Sequence, residues 1–118
     1  MDVPTRLWSY LAAHHARYQV FAHRHSRCSA ETARTAQVPA HRLAKAVVVE
    51  GDDGRCLAAV VPADRFVRLG ALSRLLGRAH LHLADESRIA ELFPDCERGA
   101  VPALAMAWDI ETAVDDEL

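Results

Sequence analysis

Lys45-Ala46-Val47-Val48-Val49-Glu50, Gly51-Asp52-Asp53-Gly54 and Arg55-Cys56-Leu57-Ala58-Ala59-Val60-Val61 form the stretch on which the reading of this 118-residue chain turns. Two β-prone runs separated by a four-residue Gly/Asp loop predict a β-hairpin. Both runs are almost continuously apolar, so the hairpin is expected to be buried on both faces. Mixed α and β elements are then arranged around one sheet.

Upstream of the hairpin, Pro4 to about Ala16 reads as a helix, with Leu7, Trp8 and Leu11 at helical spacing and Asp2 near the N-cap. Tyr18 to His23 alternates bulky and β-prone residues and predicts a short strand. Ser29 is placed to cap a helix over Ala30 to Ala36, with Glu31 in its first turn, and Val38-Pro39 ends it. Downstream, Leu69 to Leu76 predicts an amphipathic helix closed by Gly77. Ala79 to Leu83 alternates leucine and histidine as a half-buried strand does. Asp85 to Phe93 reads as a helix with an acidic start, stopped by Pro94. The loop Asp95 to Pro102 follows, and the tail is first apolar and then acidic.

The length allows one domain, residues 1–118, able to bury roughly two-thirds of its unfolded surface. With 51% hydrophobic and 25% charged residues, the composition excludes disorder or low complexity as a description of the whole chain. The longest apolar runs, such as Leu57 to Pro62, are too short to cross a bilayer, and the start Met1-Asp2-Val3-Pro4 lacks the features of a signal peptide. Three cysteines without paired spacing argue against a secreted disulfide framework, so the cytoplasm is the expected compartment. Net charge is -2, but residues 1–45 carry a balance of +5 and residues 46–118 one of -7. That asymmetry suits a basic face toward phosphate, provided the fold does not interleave the two segments.

Seven histidines include His23-x-His25 and His80-x-His82, each able to set two rings on one strand face, with Cys28 or His41 as a third ligand. A row of solvent-facing strand residues would give the same alternation. No His-Glu-x-x-His or Cys-x-x-Cys spacing is present, and neither a metal nor any other cofactor is expected. There is no Gly-x-Ser-x-Gly elbow and no Gly-rich phosphate loop before a helix. Two features remain. Lys45 is the single lysine among fourteen basic residues and opens the hairpin on the same strand face as Val47 and Val49. It reads either as a point charge for a carbonyl or phosphate oxygen or as a snorkelling edge residue. The turn Gly99-Ala100-Val101-Pro102 reads either as a set of backbone N–H groups for an oxyanion or as an ordinary loop.

Taken together, Leu43 to Glu50, Asp53-Gly54, Leu57 to Ala63, Leu83-Ala84-Asp85-Glu86, Glu91 to Cys96, Gly99 to Pro102 and Val114 to Leu118 resemble, in order, the YbaK/ProX family of aminoacyl-tRNA editing domains. The resemblance implies an α+β fold with a curved, partly barrel-like mixed sheet and helices packed outside. It implies metal-independent hydrolysis of the ester of a mischarged tRNA, acting in trans, often beside prolyl-tRNA synthetase. The family's hallmark lysine falls on Lys45, and its substrate-pocket turn on Gly99, Ala100, Val101 and Pro102. Ala103 and Ala105 stand where the family often has proline and glycine. The family usually continues beyond the position of Leu118, so its C-terminal part is expected to be missing here.

The leading expectation is a deacylase that removes a small wrong amino acid, such as alanine or cysteine, from proline tRNA. Lys45 is its catalytic candidate, and Arg24, Arg27, Arg34 and Arg42 are candidate contacts to the tRNA. The alternative is a non-catalytic module that binds aminoacyl-tRNA or a synthetase. An incomplete sheet would also leave an edge on which a second copy can pair.

Overall fold

The computed structural model describes residues 3–22 and 29–118. Helix α1 spans Thr5–Ala13 and is entered through Pro4, whose ring suits the backbone at a helix start. It ends earlier than expected, where His15 takes a positive φ of 51°. The expected strand from Tyr18 is absent over residues 18–22, which are irregular and exposed. β-prone alternation makes a strand only where a partner edge is available, and no strand pairs with this segment. Asp2 and His23 lie outside the described residues.

Helix α2 covers Ser29–Thr35, with Ser29 inside it and not ahead of it. Pro39 then precedes a single 3-10 turn, Ala40–Arg42, against which α2 packs. The hairpin forms as the sequence predicts. Strands β1 (Ala44–Glu50) and β2 (Cys56–Pro62) pair antiparallel from Ala44 opposite Pro62 to Glu50 opposite Cys56, without a bulge. At the turn, Asp53 Oδ1 accepts from the Arg55 N–H at 3.0 Å, and Gly54 takes a φ of 78° that a side chain would resist.

Helix α3 is Leu69–Leu76, closed by Gly77 in the left-handed conformation. The strand expected over Ala79 to Leu83 shrinks to β3, His82–Leu83, because His80 takes a φ of 59° and breaks the extended run. Helix α4 is Glu86–Leu92, and Asp85 caps it by accepting from the Arg88 N–H at 2.8 Å. A 3-10 turn over Ala105–Trp108 leads into β4, Glu111–Val114, which sequence reading left in the tail. The sheet order is β3-β1-β2-β4, with β4 parallel to β2 and the other pairs antiparallel. Among the described residues the result is a mixed, open four-stranded sheet with helices outside it.

The hairpin supplies the floor of two cores. Val48 and Ala58 face Phe93, Ala105 and Trp108, with Leu7 of α1, Ile89 and Leu92 of α4, and Val101 packed around them. Val49, Leu57 and Ala59 face Leu81, with Leu69, Leu72 and Leu76 of α3 and Ala113 of β4 around them. Leu57, Val49 and Pro62 are fully buried, and burial of each large side chain contributes about 1.5–3 kcal/mol.

Polar clamps hold the periphery. Arg88 donates to Glu50 at 3.2 Å, to Glu91 at 3.1 Å and to the Gly54 carbonyl at 3.3 Å, tying α4 to the hairpin turn. Arg78 donates to Glu111 at 3.2 Å and to the Arg55 carbonyl at 3.2 Å, tying β4 to the same turn. Among the described residues no helix is long and apolar enough to cross a membrane.

Candidate active site

Lys45 is half-buried on β1, on the strand face shared with Val47 and Val49. Its Nζ lies 5.3 Å from the centroid of the Phe66 ring, a cation–π contact worth about 0.5–1 kcal/mol at exposed sites. Phe66 is 91% exposed, on the loop that leaves the hairpin. It borders a groove of about 570 Å³ whose walls include Val61, Val67, Leu72, Leu75 and Val114. Lys45 does not line the groove itself but reaches it through the Phe66 ring.

The turn Gly99 to Pro102 sits on the other side of the sheet, because Val101 packs against the Val48, Ala58, Phe93 and Trp108 cluster. Gly99 has a φ of 82°, and the Ala100 N–H donates to the Glu97 carbonyl at 2.9 Å, so the turn is internally tied. Gly99 and Val101 border a second cavity of about 400 Å³, together with Ile89, Phe93, Cys96 and Arg98. Arg98 pairs with Glu86 across its rim. Burial pushes the Cys96 thiol above its ordinary range, reinforced by Asp95 and opposed by Arg6, which favours the neutral thiol. Cys56, on β2, is likewise raised by burial, against the lowering influence of Arg88.

Arg34 and Arg42 are exposed on α2 and the 3-10 turn packed against it, while Arg24 and Arg27 lie outside the described residues. His80 and His82 do not share a strand face: His80 is outside β3, and His82 Nε2 lies 3.4 Å from Glu50 Oε1. His23, His25 and Cys28 lie outside the described residues, and His41 is exposed. Among the described residues no three His, Cys, Asp or Glu side chains are grouped to hold a metal ion.

Three features escaped sequence reasoning. Trp108 Nε1 donates to Asp95 at 2.8 Å, pinning the loop that leads to Gly99. Arg88 joins α4 to Glu50 across 38 positions, a separation that leaves no local pattern. Phe66 was legible only as an aromatic between Arg65 and Val67 just after the hairpin.

The fold is shared by solved structures. One is a hypothetical protein with 23% identity and a TM-score of 0.80, over 93% of this chain and 73% of that one. Another is a proposed trans-editing enzyme for prolyl-tRNA synthetase, with 21% identity and a TM-score of 0.76, over 96% of this chain and 71% of that one. No protein of curated function matches the chain. A family model, the aminoacyl-tRNA editing domain, matches residues 23–118, from the approach to α2 through both cores to the end of the chain. The chain belongs to the aminoacyl-tRNA editing domain family.

Proposed function

We propose that this domain hydrolyses the ester of a mischarged tRNA, acting in trans in the cytoplasm, with proline tRNA carrying alanine or cysteine as the substrate. The match of residues 23–118 to the editing-domain family carries the reading. The likeness to a proposed trans-editing enzyme for prolyl-tRNA synthetase supports that synthetase as a partner.

The chemistry asks little of the protein. An aminoacyl ester is already activated, so water adds to the carbonyl carbon, the ester C–O bond breaks, and the terminal ribose hydroxyl leaves with a proton. Positioning and charge stabilisation then supply the catalysis, without a side-chain nucleophile or a metal. Lys45 is the catalytic candidate: its ammonium offers a point charge for the ester carbonyl or the neighbouring phosphate. Half-burial strengthens that charge relative to one in open water. The turn Gly99, Ala100, Val101 and Pro102 is the second substrate-binding candidate; it borders the cavity across the sheet from Lys45, so the two would contact different parts of the aminoacylated tRNA end. Arg34 and Arg42 add sequence-independent phosphate contacts. A small pocket suits editing, because a synthetase cannot reject a smaller apolar analogue by binding alone.

The deciding experiment measures deacylation of alanyl-, cysteinyl- and seryl-tRNA of the proline isoacceptor by the chain and by Lys45→Ala. We expect hydrolysis by the chain and a loss of about 10²-fold or more in the variant, with its circular dichroism unchanged. Absence of hydrolysis of all three by the unaltered chain would sink the catalytic reading.

A further inference from the structure

Residues 3–30 contain no carboxylate, although the chain has sixteen acids, and they hold four arginines, four histidines and four of its seven aromatic residues. The structure sets several of these side by side. Trp8 projects from α1 and stands against Tyr18, with ring centroids 5.8 Å apart and planes tilted by 45°. Beyond Tyr18 the exposed segment continues through Val20 and Phe21. Tyr18 is 49% and Phe21 72% exposed, unusual for rings a core would otherwise take up. Arg6 and Arg17 are exposed on the same element and at the start of the same segment.

We propose that Trp8 and Tyr18, with Phe21 and Arg17 on the same exposed segment, form a stacking platform for a single-stranded RNA end. Its occupant is the unpaired 3′ end of the tRNA acceptor. Exposed aromatic faces with Arg17 beside them, in a stretch of sequence without a carboxylate, are what an unpaired polyanion needs: the rings take bases and the guanidinium group takes a phosphate. A protein partner would leave the charge imbalance unexplained.

The location fits. Leu7, next to Trp8, packs into the cluster that includes Val101, and Arg6 lies 5.9 Å from the centroid of the Trp108 ring. Helix α1 therefore holds the platform on the side of the sheet that carries the Gly99–Pro102 turn. The identity of the RNA rests on the editing function proposed above; the platform itself rests on the exposed rings and the charge.

The test compares binding of two labelled RNA hairpins by fluorescence anisotropy, one with a four-nucleotide ACCA 3′ overhang and one blunt. The overhang is expected to bind at least about 10-fold more tightly. Tyr18→Ala with Phe21→Ala should abolish that preference, each lost base stack weakening binding by about 5- to 150-fold. Tyr18→Phe, which keeps the ring, should restore it. Arg17→Gln should weaken both hairpins alike and flatten the salt dependence. Equal affinity for the two hairpins overturns the platform, as does a double alanine variant that keeps the preference. If self-association, and not RNA binding, changes in that variant, the rings serve a second copy and the proposal is also overturned. The two readings fail separately. Deacylation with no overhang preference removes the platform alone, and overhang preference without deacylation removes the catalytic function alone.

Discussion

Two phenylalanines show how differently the two sides of the hairpin are finished. Phe93 is 3% exposed, edge-on to Trp108 with ring centroids 5.4 Å apart, and roofs Val48 and Ala58. Phe66 is 91% exposed and touches little beyond the Lys45 ammonium at the lip of an open groove. One side is closed by aromatic packing and by the Trp108–Asp95 hydrogen bond; the other is closed by α3 but left open beside β4. The difference is one of burial: on one side the aromatic ring is part of the core, and on the other a ring and a cation are left at the surface.

The largest expected effect is on the closed side. Phe93→Ala should destabilise the domain by about 3–5 kcal/mol, read from urea denaturation, because a buried ring leaves a cavity that close packing does not fill. A loss under about 1 kcal/mol would mean that this side is no core.

Alkaline pH provides a second test of the same side, since both Cys56 and Cys96 pack there. Burial raises both thiols, so the folded state prefers them neutral while the unfolded chain ionises them from the ordinary value of 9.0. Their contribution is intact at neutral pH and is lost as pH rises above that value through the folded pKa. Denaturation midpoints should therefore fall between neutral and strongly alkaline pH less steeply in a Cys56→Ala, Cys96→Ala variant than in the natural sequence. Identical slopes would break the argument. The smallest effect belongs to Phe66→Ala: stability should change by no more than about 1 kcal/mol, because an exposed ring buries little and loses only its contact with Lys45. If it costs as much as Phe93→Ala, the contrast between the sides is false.

Much of the candidate site was legible because it is local. Lys45 stood out as the single lysine of the chain, and the glycine of the Gly99–Pro102 turn does take a positive φ. That the two lie toward opposite sides of the sheet was not legible, since one is set by strand alternation and the other by Val101 docking on a distant cluster. The same division holds for the fold. The hairpin and α3 with its Gly77 cap formed where local pattern put them, and α4 lost only its first and last expected residues, Asp85 becoming its N-cap.

What failed was pairing. The segment from Tyr18 has strand chemistry but no neighbouring edge, whereas Glu111-Thr112-Ala113-Val114 has weak strand chemistry and the open edge of β2 beside it. By itself, the sequence determined the elements whose hydrogen bonds close within a few residues: helices with their caps and a hairpin with its turn. Only the tertiary structure decided which strands acquire partners, which ring is roofed and which is bare. Those outcomes depend on contacts between residues tens of positions apart, and no local periodicity records such contacts.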